Sequence, residues 1–120
     1  MARAMIPVEP GMKIAAQIGP EPSEAELALL QQMGVEYVVL WANQNTSSAE
    51  YFTSRKELFG RYGLKIYGFS FSSVHNQAPI VLGLPGRDTL IAAYQKHLRE
   101  MGKAGIPYAT YAHMANGIWS

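Results

Sequence analysis

In three places a glycine that closes a helix-like stretch is followed at once by strand-forming residues: Gly34 by residues 35–41, Gly63 by residues 64–70 and Gly105 by residues 106–112. A glycine just past a helix takes the left-handed backbone conformation without a Cβ penalty. An apolar run directly behind it suits a strand buried on both faces. The alternation therefore predicts a parallel sheet of βα repeats, an architecture in which chemistry gathers where strands end and loops begin.

The first strand is expected over residues 12–18, where Ile14, Ala15, Ala16 and Ile18 run into Gly19 and Pro20. Ser23 with Glu26 three residues later has the form of a capping box, and Leu27, Leu30 and Met33 make a buried helical stripe. After the second strand, Ser47 with Glu50 repeats the capping-box pattern ahead of a helix over residues 51–62. Its aromatic pairs, Tyr51 with Phe52 and Phe59 with Tyr62, read as packing against the sheet rather than as a ligand cage. The third strand, residues 65–71, leads into a long polar segment, residues 72–86. Ordered βα connections of that length often build binding sites. Asp88 is placed to cap the next helix, whose packing pattern is Leu90, Ile91, Tyr94, Leu98 and Met101, and a fourth strand follows Gly105.

With 120 residues against the ~250 of a complete eight-fold barrel, four βα units amount to about half of one. The expected organisation is a lead-in over residues 1–11 and an N-terminal half-barrel over residues 12–120, a fragment of a larger barrel. Open sheet edges predict association with the remainder of the barrel or with another copy. A formal net charge of +1 gives no case for nucleic acid or an anionic membrane as partner. The absence of cysteine excludes disulfides and thiolate ligands within these residues. No stretch has the apolar length of a membrane span or signal peptide, and cytoplasm is the default expectation.

Three histidines separate by position. His75 and His113 lie just past the third and fourth strand runs, at the rim where catalytic groups converge in a parallel barrel, and are the leading site candidates. His97 lies mid-helix and is expected to be exposed or locally bonded. Trp41 and Trp119 are placed either to wall a pocket or to pack in a core. Tyr111 shares its parity with His113, so an unbroken strand would turn both the same way. Arg87, at a helix start after a glycine-rich turn, is able to hold an anionic group such as a sugar carboxylate. The competing reading, Asp88 as cap with Arg87 paired locally, is the stronger of the two. No helix-spaced His and Glu pattern or carboxylate cluster marks a metal site.

The segment from Val74-His75-Asn76 through Leu82-Gly83-Leu84-Pro85-Gly86-Arg87-Asp88, continuing by Tyr94, His97-Leu98 and Gly102-Lys103-Ala104-Gly105-Ile106, resembles the mannonate dehydratase family. The resemblance spans residues 12–120 in βα order and is most specific over residues 74–106. It implies a xylose-isomerase-like TIM barrel and the dehydration of D-mannonate to 2-keto-3-deoxy-D-gluconate. It also implies Mn²⁺ or another divalent metal, held by ligands from the second half of the barrel. By matching position, His75 lies on the substrate side of the third strand, and Met114 and Trp119 match a methionine and a tryptophan after the fourth. The family usually has a glutamate where this chain has Asn76, and usually no histidine matching His113. These departures leave a sugar isomerase or epimerase as one alternative, and the open sheet edges of four βα units leave a noncatalytic self-assembling half-barrel as another.

Overall fold

The computed structural model describes residues 8–113. The elements run β1 (Ala15–Gln17), α1 (Glu24–Gln32), β2 (Tyr37–Ala42), α2 (Ala49–Gly60), β3 (Lys65–Phe71), a 3₁₀ turn (Ser72–Val74), α3 (Ala78–Val81) and α4 (Arg87–Ala104). The three strands form one parallel sheet in the order β1-β2-β3. This is a partial βα repeat, as the glycine pattern predicts. Gly34, Gly63 and Gly105 all adopt left-handed φ angles of 72–73°.

Strand alternation decides which side chains reach the core. On β2, Val38, Leu40 and Ala42 face the helices and are fully buried, whereas Val39 and Trp41 fall on the opposite face. On β3, both Ile66 and Phe69 belong to the same core cluster despite a spacing of three. A β-bulge resolves this, because Ile66 pairs with Val38 and Gly68 with Val39, leaving Tyr67 as the extra residue. Leu27 of α1, Phe52 and Phe59 of α2, and Met101 and Ala104 of α4 close the cluster from the helical side. The aromatic pairs of α2 pack as expected: Phe52 and Phe59 are fully buried, and Tyr51 and Tyr62 pack against them.

Several expectations are corrected, among them the burial of Met33 and Leu98, both exposed. The fourth strand does not form: its run makes a single parallel bridge, Gly68 with Tyr108. The Ile106 N–H is taken by the Met101 carbonyl at 3.0 Å in closing α4, and Pro107 has no N–H, so pairing cannot begin before Tyr108. The first strand is only three residues, and Ile14 is 77% exposed rather than buried. Ser48, not Ser47, caps α2, accepting the Tyr51 N–H at 3.1 Å. Asp88 does not cap α4, which starts after Gly86, and instead pairs with Arg87 at 3.1 Å. The Ser23 and Glu26 capping box is present as read.

Freed from capping, Ser47 is buried and its Oγ lies 2.8 Å from His97 Nδ1. His97 is not exposed at all; its Nε2 lies 3.4 Å from the Phe69 carbonyl, and its ring stacks on Phe71 at 4.7 Å. A carbonyl only accepts, so Nε2 carries the proton and Nδ1 accepts from the Ser47 hydroxyl. Glu100, one turn further along α4, accepts the Ala49 N–H at 2.9 Å at the start of α2. Through these side chains α4 is tied to β3 and to the loop before α2.

Burial holds the His97 pKa below its ordinary value, against the smaller opposing effect of the Phe69 carbonyl. The unfolded chain therefore takes up the proton first as pH falls. The contribution of neutral His97 to stability is complete above about 6.5, declines as pH drops below it, and levels off below the lowered native value. Denaturant unfolding as a function of pH should show this decline, and His97→Gln should flatten it while lowering stability at neutral pH.

A Cβ built on Gly68 would stand 2.5 Å from the Tyr108 carbonyl oxygen. Gly68→Ala should therefore push the Tyr108 segment off the edge of β3 at a cost of about 1–3 kcal/mol. A lowered denaturant midpoint together with a changed near-ultraviolet tyrosine signal, from loss of the Tyr67–Tyr108 stack at 5.0 Å, checks it.

Candidate functional site

Because the strands are parallel, their carboxyl ends lie together, and there the face opposite the helices carries the outward residues of β1 and β2. Gln17 registers with Val39 and Trp41 with Ser70. Two adjoining open depressions of about 280 and 420 Å³ occupy this region and share Gln17, Trp41 and His75. The first is completed by Ser70, Tyr108, Thr110 and Tyr111, among others, and the second by Asn76. A further cleft, at the opposite strand ends between Tyr37, Tyr67 and Lys13, contains none of the residues singled out for chemistry.

His75 follows the 3₁₀ turn that ends β3. Its ring meets Trp41 edge-on with centroids 5.0 Å apart, and its Nε2 lies 3.3 Å from the Thr110 carbonyl. That carbonyl also accepts from the Tyr94 hydroxyl at 3.4 Å. Since it can only accept, His75 donates through Nε2, leaving Nδ1 as the acceptor of the neutral ring. Burial, with Tyr111 nearby, pushes the Tyr94 hydroxyl above its ordinary pKa, so Tyr94 remains a neutral donor near pH 7. Ser70 Oγ and Thr110 Oγ1 are hydrogen-bonded to each other, joining the end of β3 to the segment beside it. The adjacent residue, Asn76, has a left-handed φ of 53°, and its backbone N–H donates to the Ala112 carbonyl at 2.9 Å.

The candidates from sequence thus separate. His75, Trp41 and Tyr111 are brought together around the cleft. His113 stands exposed beside Tyr111, ring centroids 5.8 Å apart, and is not among the lining residues. The segment carrying both has no regular strand structure, so the parity argument for their common direction does not apply. Arg87 is ion-paired with Asp88 and lines a different depression, formed by the glycine-rich turn. Trp119 lies outside the described residues, as does Met114.

Sequence reasoning passed over Gln17 and Thr110 and met Asn76 only as a departure from a motif. Gln17 occupies the last position of β1, the place where a strand-end residue reaches a rim, and that was its available signal. Thr110 meets His75 through its backbone carbonyl, for which residue type is no guide.

Among the described residues no three His, Asp or Glu side chains cluster so as to hold a metal ion. No lysine, arginine, aspartate or glutamate among the described residues lines either depression. The arrangement offers an indole, hydroxyls, an imidazole acceptor and two carboxamides, which suits an uncharged, hydroxyl-rich ligand. Among the described residues, no helix is long and apolar enough to cross a membrane.

Comparison with curated proteins and with solved structures found no match. A family model described as D-mannonate dehydratase (UxuA) matches residues 12–120. The match includes every described element and nearly the whole sequence, so the chain belongs to the D-mannonate dehydratase family.

Proposed function

We propose that this chain forms the N-terminal, substrate-facing part of a mannonate dehydratase-like lyase, which converts D-mannonate to 2-keto-3-deoxy-D-gluconate and water. The family match over residues 12–120 is the observation that carries the reading. In this reading the βα repeat is part of a (β/α)₈ barrel, and the sheet face bearing Val39 and Trp41 is turned to the barrel interior. Exposed Ile14 and Leu98 then mark surfaces for the rest of the barrel or a partner chain.

Dehydration removes the proton α to the carboxylate and expels a hydroxyl from the neighbouring carbon; the divalent metal that the family implies, Mn²⁺ in our reading, would supply stabilisation of the charge that develops. The described rim does not fit that metal, since it lacks a ligand cluster. Its own residues bind and orient. Trp41 gives the carbon chain an apolar wall, and Tyr111 supplies a hydroxyl at the mouth. His75, fixed by Thr110, presents Nδ1 to accept a hydrogen bond or a proton from the substrate.

The test is turnover of D-mannonate by the full-length protein, with and without added Mn²⁺, followed by formation of the 2-keto-3-deoxy acid. Metal-dependent appearance of that product is expected. Conversion to an isomeric sugar acid with no keto-deoxy product would replace this reading with an isomerase or epimerase. His75→Ala should lower kcat by about a hundredfold or more where Nδ1 handles a proton. Where the ring only binds, the loss should fall on KM, by about three- to tenfold.

A further inference from the structure

Two carboxamides line one depression at the carboxyl ends of the strands together with Trp41 and His75: Gln17 from β1 and Asn76 from the turn after β3. Asn76 is the only non-glycine residue with a positive φ among the described residues. The peptide linking it to His75 is held at both its N–H and its carbonyl. Its own N–H donates to Ala112 at 2.9 Å, and the preceding His75 carbonyl accepts from the Gln77 side chain at 3.2 Å. Glycine adopts this conformation more readily, and asparagine is among the few other residues that tolerate it. A side-chain-bearing residue held there beside a cleft points to a use for the side chain.

A carboxamide presents two N–H donors and one acceptor oxygen, and a sugar hydroxyl both donates and accepts, so the two groups match without any charge. A carboxylate asks for something else: a guanidinium, an ammonium or a helix start. Among the described residues none of these lines the two depressions, and Arg87 is engaged with Asp88 at another. Resting on the dehydratase reading above, the geometry points to Gln17 and Asn76 as the residues that read the hydroxyl chain of the substrate. The described rim holds the polyol end of the sugar acid, and the carboxylate end is directed away from it.

Three probes divide the substrate: D-mannitol is a polyol without a carboxylate, propionate a carboxylate without a polyol, and D-mannonate has both. Their binding to the full-length protein is measured by saturation-transfer NMR, for the wild type, Gln17→Ala and Asn76→Gly. Glycine keeps the left-handed backbone while removing the amide, and circular dichroism verifies the fold of each variant. D-mannitol should compete with D-mannonate, and each substitution should weaken D-mannitol binding about three- to tenfold. KM for D-mannonate should rise by a similar factor with kcat changed less than about twofold.

Polyol binding indifferent to both substitutions, or absent from a wild type that turns over D-mannonate, overturns the assignment and leaves the dehydratase reading standing. Displacement of D-mannitol by propionate also overturns it. Polyol binding that depends on both amides, in a protein that forms no keto-deoxy acid from D-mannonate, supports the subsite and overturns the dehydratase reading instead.

Discussion

The extra residue at Tyr67 keeps β3 in phase with β2, and much of the molecule follows from it. Without the bulge, a strand that turns Ile66 toward the helices would turn Phe69 away, and the core would lose an aromatic ring that no part of it is exposed to replace. Loss of a buried phenylalanine costs about 3–5 kcal/mol in a close-packed interior. The bulge also registers Trp41 with Ser70 at the carboxyl ends of the strands, so the same irregularity that completes the core also composes the cleft. Gly68 then lies under Tyr108 with no room for a side chain, and the segment carrying Tyr108 and Thr110 approaches close enough to furnish one wall.

Helix α4 fixes the other coordinate. A buried imidazole is costly unless both nitrogens are satisfied. His97 meets that condition through Ser47 on one side and Phe69 on the other. These contacts join the loop before α2, strand β3 and helix α4, which local sequence does not link. Glu100 at the start of α2, and Lys56 donating to the Ala104 carbonyl at 2.8 Å, repeat the same tie. The helix therefore acts as a clasp between the middle of the sheet and the α2 loop, and its neutral histidine makes the clasp sensitive to acid.

What could be read from sequence was what local chemistry decides. Glycines 34, 63 and 105 marked helix ends because a left-handed residue there has few alternatives, and Ser23 with Glu26 marked a helix start because two groups satisfy each other across three positions. The second capping box does not form: the cap is Ser48, one residue further on, and the residue three places after it is Tyr51, which carries no carboxylate to return the bond. Ser47 and Ser48 are chemically identical, and only the distant His97 distinguishes them. His97 itself had a signal that went unused: it lies three and four residues from Tyr94 and Met101, on the helix face that ends in Ala104. The bulge and the failed fourth strand were hidden for a different reason. Each depends on competition for backbone groups, such as the Ile106 N–H taken by the helix end, which side-chain patterning does not record. At the site, His75 was legible as a residue past the end of β3 and Trp41 as one at the end of β2, whereas Tyr111 was placed by a fourth strand that does not form and Thr110 contributes a carbonyl.

That carbonyl connects the fold to the chemistry of the rim. Thr110 is held beside β3 by its hydroxyl contact with Ser70, and its carbonyl oxygen accepts hydrogen bonds from both Tyr94 on α4 and His75. Two donors on one acceptor are compatible only while each carries its proton, which the raised pKa of Tyr94 ensures on its side. His75 must then keep Nε2–H, and its free acceptor is Nδ1. The tautomer of the imidazole is thus set by backbone geometry two connections away, before any ligand enters, and the clasp formed by α4 is what holds that geometry in place.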